Sequence, residues 1–196
     1  MKKMLLIIAT LSCVMAGEMG LSAYGGLGLT NTSIGTAGTG SEYGMKPGLT
    51  FGVQYYKLPV VLGLGISMRG SKISVDSKEV GSMNYTYLDI SALYPYAVGP
   101  GNAYAGLVIG MNLAAEMVPD TGEATDLKAS DCKSCMNNLD YGIALGYTYP
   151  INEDMGVSLG YYLGLADFSG DYEMSSDPSA DKHNGILMTV GYALPF

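Results

Sequence analysis

Charge is scarce in this chain. Only 14 % of its residues are Asp, Glu, Lys or Arg, and the acidic ones outnumber the basic by 18 to 10. With so acidic a balance and no basic stripe to displace counterions from phosphates, nucleic acid is excluded as a partner class. Histidine occurs once, at His183, which leaves little material for acid–base catalysis. Beyond the first residues there is no apolar run long enough to cross a bilayer as a helix, and helical spacing of apolar residues is missing as well. Long linkers are missing too, so the 196 residues read as one domain.

What the chain does have is dispersed apolarity. Hydrophobic residues make up 48 %, with 28 glycines and 16 tyrosines. The first sixteen residues read as an export signal: Lys2 and Lys3 form a charged n-region, Met4 to Leu11 an apolar core, and Val14-Met15-Ala16 a small-residue cleavage site. The mature domain is then residues 17–196. A rival reading makes Cys13 a lipidated first residue, but Thr10-Leu11-Ser12 lacks the apolar residue expected three positions upstream. Loss of the leader leaves 8 basic against 18 acidic residues, a net charge of −10.

Period-two alternation marks eight segments. They run about Leu21 to Thr30, Gly48 to Tyr56, Val60 to Gly70, Asn84 to Tyr94, Ala103 to Glu116, Leu139 to Tyr149, Gly156 to Phe168, and the terminal Thr189 to Phe196. One face of each is Leu, Ile, Val and Met; the other is Gly, Ser, Thr, Ala and Tyr with isolated charges. A soluble barrel would turn the apolar face inward and need a charged coat, which the second face does not supply. Turned inside out, the same strands set apolar side chains in lipid, and closure satisfies every backbone group. The expected fold is all-β: an eight-stranded antiparallel up-and-down transmembrane β-barrel. Short connections at 57–59, 95–102 and 150–154 alternate with long polar ones at about 31–47, 71–83, 117–138 and 169–183, as periplasmic turns and outer loops do. Tyrosines crowd the short-turn end at Tyr55, Tyr94, Tyr96, Tyr147, Tyr149 and Tyr192, with Phe196, which suits an interfacial aromatic belt.

The last residues resemble the C-terminal assembly signal of bacterial outer-membrane proteins, a polar-x-Gly-x-x-apolar-x-aromatic run met by Thr189, Gly191, Leu194 and Phe196, with Pro195 as a departure. Tyr87-Leu88-Asp89-Ile90, Asp140-Tyr-Gly-Ile-Ala-Leu-Gly-Tyr147 and Leu159-Gly-Tyr-Tyr-Leu-Gly-Leu165 resemble strands four, six and seven of the small outer-membrane β-barrel domain families. The likeness is strongest to the PorT-like barrels and more distant to the OmpX- and OmpA-like ones. It implies residence in the bacterial outer membrane, contact with membrane lipid and lipopolysaccharide, and insertion by the barrel assembly machinery. It implies little about activity.

Among candidate sites, alternation turns Arg69, Asp89, Glu116 and Asp140 inward. Buried charges must pair, so a lumen network with Gln54, Asn112 and the tyrosines is expected. His183, between Lys182 and Asn184, reads as a solvated residue at the edge of the last loop. Cys132 and Cys135 in the longest loop read as a small disulfide, with free thiols as the alternative, since a redox pair or zinc site lacks its context. The acidic loops show no calcium-loop spacing, and no cofactor is expected. Function reads as structural, or as binding an extracellular ligand through four outer loops, and not enzymatic. The alternatives are narrow, porin-like passage of small solutes or ions and a lipid-modifying outer-membrane enzyme.

Overall fold

Alternation becomes nine strands in the computed structural model, which describes residues 20–33, 41–57, 59–128, 137–167 and 182–195. They are β1 (Leu21–Ser33), β2 (Ser41–Lys57), β3 (Val60–Val75), β4 (Lys78–Val98), β5 (Gly101–Pro119), the two-residue β6 (Thr125–Asp126), β7 (Leu139–Pro150), β8 (Met155–Gly164) and β9 (Lys182–Ala193). The leader, Cys132, Cys135 and Phe196 lie outside the described residues.

Eight of these strands form a ring, each antiparallel to two neighbours, in the order β1-β2-β3-β4-β5-β7-β8-β9. The ring closes where β1 pairs with β9 from Ser22↔Ala193 to Ser33↔Lys182. It is an eight-stranded up-and-down β-barrel of the transmembrane type. The small β6 lies outside the ring beside β5, with Glu116 opposite Asp126 and Met117 opposite Thr125.

One seam is held differently. β1 and β2 are in register at Leu21↔Tyr55, where Tyr56 N–H donates to Gly20 O at 2.9 Å. Further up, β2 bulges between Met45 and Thr50 against β3. A bulge leaves ladder groups unpaired, and β1 supplies the substitute. Thr30 Oγ1 accepts from Gly70 N–H at 2.8 Å and lies 3.1 Å from Gly70 O.

Several connections are shorter than the sequence reading expected. The stretch 71–83 is not a loop: β3 and β4 continue through it and meet at Asp76-Ser77, both in the left-handed region (φ 50° and 63°). Such a two-residue turn matches the twist of the flanking strands. The connection after β4 is likewise reduced to Gly99-Pro100, with Gly99 at φ 58°. At the third turn Asn152 Oδ1 accepts from the N–H groups of Asp154 (2.9 Å) and Met155 (2.8 Å), and this local bonding fixes the reversal. The terminal strand begins at Lys182, seven residues before the alternation reading placed it, while β8 stops at Gly164.

Side-chain directions follow the two-faced pattern. Leu27, Leu62, Ile90, Leu107 and Leu159 are exposed on the outside of the ring, Leu159 at 59 %. Ser22, Thr50, Ser67, Thr148 and Ser158 are buried inside. An apolar exterior around a hydroxyl-lined interior is stable in hydrocarbon and unstable in water. Outward Tyr55, Tyr94, Tyr96, Tyr149 and Tyr192 ring the short-turn end and are all exposed.

Leu159→Arg is expected to destabilise the inserted barrel by about 2–4 kcal/mol, the cost of a cation near the bilayer midplane. The check is urea unfolding in lipid followed by circular dichroism. A silent Leu159→Arg would mean that the apolar face does not meet lipid.

Candidate functional site in the barrel interior

The charged residues inside the barrel converge on one cation. Arg69 on β3 is buried, and its Nη2 bonds Asp89 Oδ1 of β4 at 2.6 Å while Nη1 bonds Asp140 Oδ2 of β7. Arg69 Nε donates to Ser67 Oγ at 3.1 Å, and the Tyr162 hydroxyl donates to Asp140 Oδ2 at 3.0 Å. The guanidinium carbon sits 4.7 Å from the ring centre of Tyr87 and 4.4 Å from that of Tyr162, so the cation lies over two aromatic faces.

Glycine makes this possible. Gly110 of β5 lies in register between Asp89 and Asp140. A Cβ there would come within 2.7 Å of Asp89 Oδ1. The gap lets two carboxylates on strands flanking β5 reach the same arginine.

On the loop side, the interior is filled by aromatic rings. His183 of β9 is only 1 % exposed. Its Nε2 is 3.0 Å from the Tyr87 hydroxyl and its Nδ1 3.4 Å from Thr32 Oγ1. Tyr85 and Tyr87 meet the imidazole edge-on at 4.8 and 5.5 Å. Next comes a small apolar core of Ile73, Met83, Tyr85, Tyr87 and Ala115, against which Tyr43, Met117 and Leu127 pack. Lys128, just beyond β6, donates to the Asn112 carbonyl at 2.5 Å, tying this covering segment to β5.

The six residues expected to form one lumen network have three fates. Arg69, Asp89 and Asp140 come together. Gln54 and Asn112 are buried but stand apart: Gln54 Oε1 accepts from the Tyr56 hydroxyl at 3.2 Å, and the Asn112 N–H donates to Asn138 O at 2.8 Å. Glu116 is not inside at all. Thr86 pairs with Ala114 but Tyr87 with Asn112, so Leu113 is an extra residue in β5 and the alternation changes phase there. Ala115 becomes buried and Glu116 turns to the exterior.

His183 is a second correction. It is a buried strand residue, because β9 extends back past Gly185 and alternation carries its side chain inward. Extending the terminal alternation from Thr189 through Leu187 and Gly185 reaches His183, so the signal was present in the sequence. Thr189 and Gly191 occupy β9, and Leu194 N–H donates to Leu21 O at 2.9 Å.

The network carries one positive and two negative formal charges. Arg69→Met is expected to cost about 3–5 kcal/mol, because it strands two buried carboxylates. The triple change Arg69→Met, Asp89→Asn, Asp140→Asn should cost clearly less than the single one. Urea midpoints of the inserted variants check this; a triple variant weaker than Arg69→Met alone would show that the ion pairs themselves stabilise the barrel.

Comparison with known proteins agrees with this architecture. The structure is similar to the crystal structure of Neisserial surface protein A (NspA), with a TM-score of 0.57 at 12 % identity over 90 % of this chain and 97 % of that one. It is also similar to Ail, the attachment invasion locus protein of Yersinia pestis, solved in complex with the heparin analogue sucrose octasulfate. There the TM-score is 0.50 at 14 % identity, over 90 % of this chain and 99 % of that one. At such identities the likeness is one of fold. Comparison with curated protein sequences gives no match. Residues 16–170 match the family described as outer membrane protein beta-barrel domain, and the chain belongs to that family.

Proposed function

We propose that this barrel is a non-enzymatic surface platform: a sealed anchor in the bacterial outer membrane whose loop end meets a partner outside the cell. The observation that carries this reading is an interior filled from the level of Arg69 to the loop end. The Arg69 cluster, the Tyr85–Tyr87–His183 rings and the apolar core around Ile73 and Met83 occupy successive levels of the lumen. Eight strands leave room for little more than side chains, which disfavours an open pore. Thr32, Tyr87 and His183, the one hydroxyl–imidazole grouping among the described residues, are all buried, which disfavours an enzyme acting on lipid from that group.

The loop end has the features of a platform. The outer face of β2 to β4 turns polar there: Lys46 Nζ bonds Ser82 Oγ at 2.7 Å and also Asn84 Oδ1, and Lys72 pairs with Glu79 at 2.7 Å. Asp76, Glu79, Asp120, Glu123 and Asp126 are exposed. An acidic rim repels polyanions of the kind bound to Ail and suits a cationic partner. In this reading the leader at residues 1–16 delivers the chain to export. Thr189, Gly191, Leu194 and Phe196 guide insertion by the assembly machinery, and Cys132 and Cys135 stiffen the longest loop. Lipopolysaccharide and lipid surround the belt.

Planar-bilayer recordings on the full chain are expected to show no steady conductance; stable ohmic channels would overturn the sealed lumen. Proteoliposomes bearing the barrel should be captured by beads coated with a cationic peptide, and less so after Asp120→Lys, Glu123→Lys and Asp126→Lys together. Capture that ignores those three changes and rising salt would sink the acidic platform.

A further inference from the structure

The interior is not filled along its whole length. On the short-turn side of the Arg69–Asp89 pair lies a cavity of about 140 Å³. Its wall is mostly apolar, with Val61, Leu93, Val108 and Leu187 among the lining residues. Near the turns it is bounded by Tyr56 and Pro95.

The cavity is built by two tyrosines that fold flat against opposite walls. Tyr24 of β1 lies over the cross-strand pair Gly52↔Gly65 of β2 and β3. A Cβ at Gly52 would come 2.8 Å from Tyr24 Cζ, and one at Gly65 would come 2.9 Å from the same atom. Tyr104 of β5 lies in the same way over Gly146↔Gly160 of β7 and β8. A Cβ at Gly146 would come 2.5 Å from Tyr104 Cζ. β1 and β5 stand opposite each other in the ring. Any side chain at these glycines would lift the rings toward the axis, where they would fill the lumen as Tyr85 and Tyr87 do on the loop side. Four glycines therefore keep the centre open on one side of the charged cluster. Both hydroxyls border the cavity, and neither has a hydrogen-bond partner among the described residues.

From this geometry we infer a binding site in the turn-side half of the lumen for a small aromatic molecule carrying one hydroxyl and no anionic group, of the phenol class. Size sets the ring: an apolar cavity of about 150 Å³ holds one benzene. The unpartnered hydroxyls of Tyr24 and Tyr104 set the polar group, since each can donate to or accept from a ligand hydroxyl. Negative charge is excluded because the nearest cation, Arg69, is already committed to two carboxylates, one of which, Asp89, itself borders the cavity. The inference is independent of what the loop end binds, and a sealed loop side is compatible with entry between the short turns.

The test uses the refolded full chain in detergent, with 4-fluorophenol as probe and 4-fluorotoluene as the arm that lacks the hydroxyl, both followed by ¹⁹F NMR. Saturable binding of one 4-fluorophenol per chain is expected, about fivefold tighter than 4-fluorotoluene, the worth of one neutral hydrogen bond. In the double variant Tyr24→Phe, Tyr104→Phe the two probes should bind equally. Ala144→Leu, which fills the lumen from β7, should abolish saturable binding of both; Ser91→Leu makes the same test from β4 if the first fails the heat-modifiability gel for folding. Only non-saturable partition into micelles, or binding that survives the filling variants, would overturn the site. An unchanged preference for 4-fluorophenol in the double tyrosine variant would overturn the role of the two hydroxyls.

Discussion

A polypeptide backbone in hydrocarbon has no water to bond with, so every N–H and C=O in the span must find a partner within the protein. That constraint governs the rest of this structure. It forces the sheet to close, which the β1–β9 ladder does along the length of both strands. Its reach is clearest where the ladder fails. The β2 bulge leaves Gly70 unserved, and a side chain from the next strand over, Thr30, satisfies both of its backbone groups.

Closure with eight strands creates a second constraint, because the interior is narrow and must be filled or deliberately kept open. Glycine is the means of doing either. At Gly110 the missing side chain lets Asp89 and Asp140 share Arg69. At Gly52, Gly65, Gly146 and Gly160 it lets tyrosines lie against the wall. The charged cluster thus separates a packed, aromatic loop side from a hollow turn side. A buried ion pair generally adds little net stability over an apolar filling; this one joins β3, β4 and β7 across the lumen.

Much of the fold was legible because a strand in a membrane barrel exposes one side chain to lipid and the next to the interior, and the sequence records that choice at every second position. Arg69, Asp89 and Asp140 were readable as interior residues for that reason. Glu116 was misread because a single extra residue, Leu113, reverses the phase, and no local feature of Met111-Asn-Leu-Ala-Ala115 announces it. His183 was misread because charged and polar neighbours, Lys182 and Asn184, imitate a loop. The hairpin across Asp76-Ser77 was hidden in the same way, its polar strands standing where the outer face no longer meets lipid.

By itself the sequence determined the class of molecule: alternation, scarce charge and a tyrosine-marked short-turn end specify a lipid-facing barrel, since side-chain polarity is a local property. Tertiary structure decided which interior residues touch. Arg69 meets Asp140 across a separation of seventy-one residues, and Tyr24 folds onto Gly65 rather than into the axis. Those contacts depend on strand register and bulge position, which are set by pairing between strands and not by the composition of any one of them.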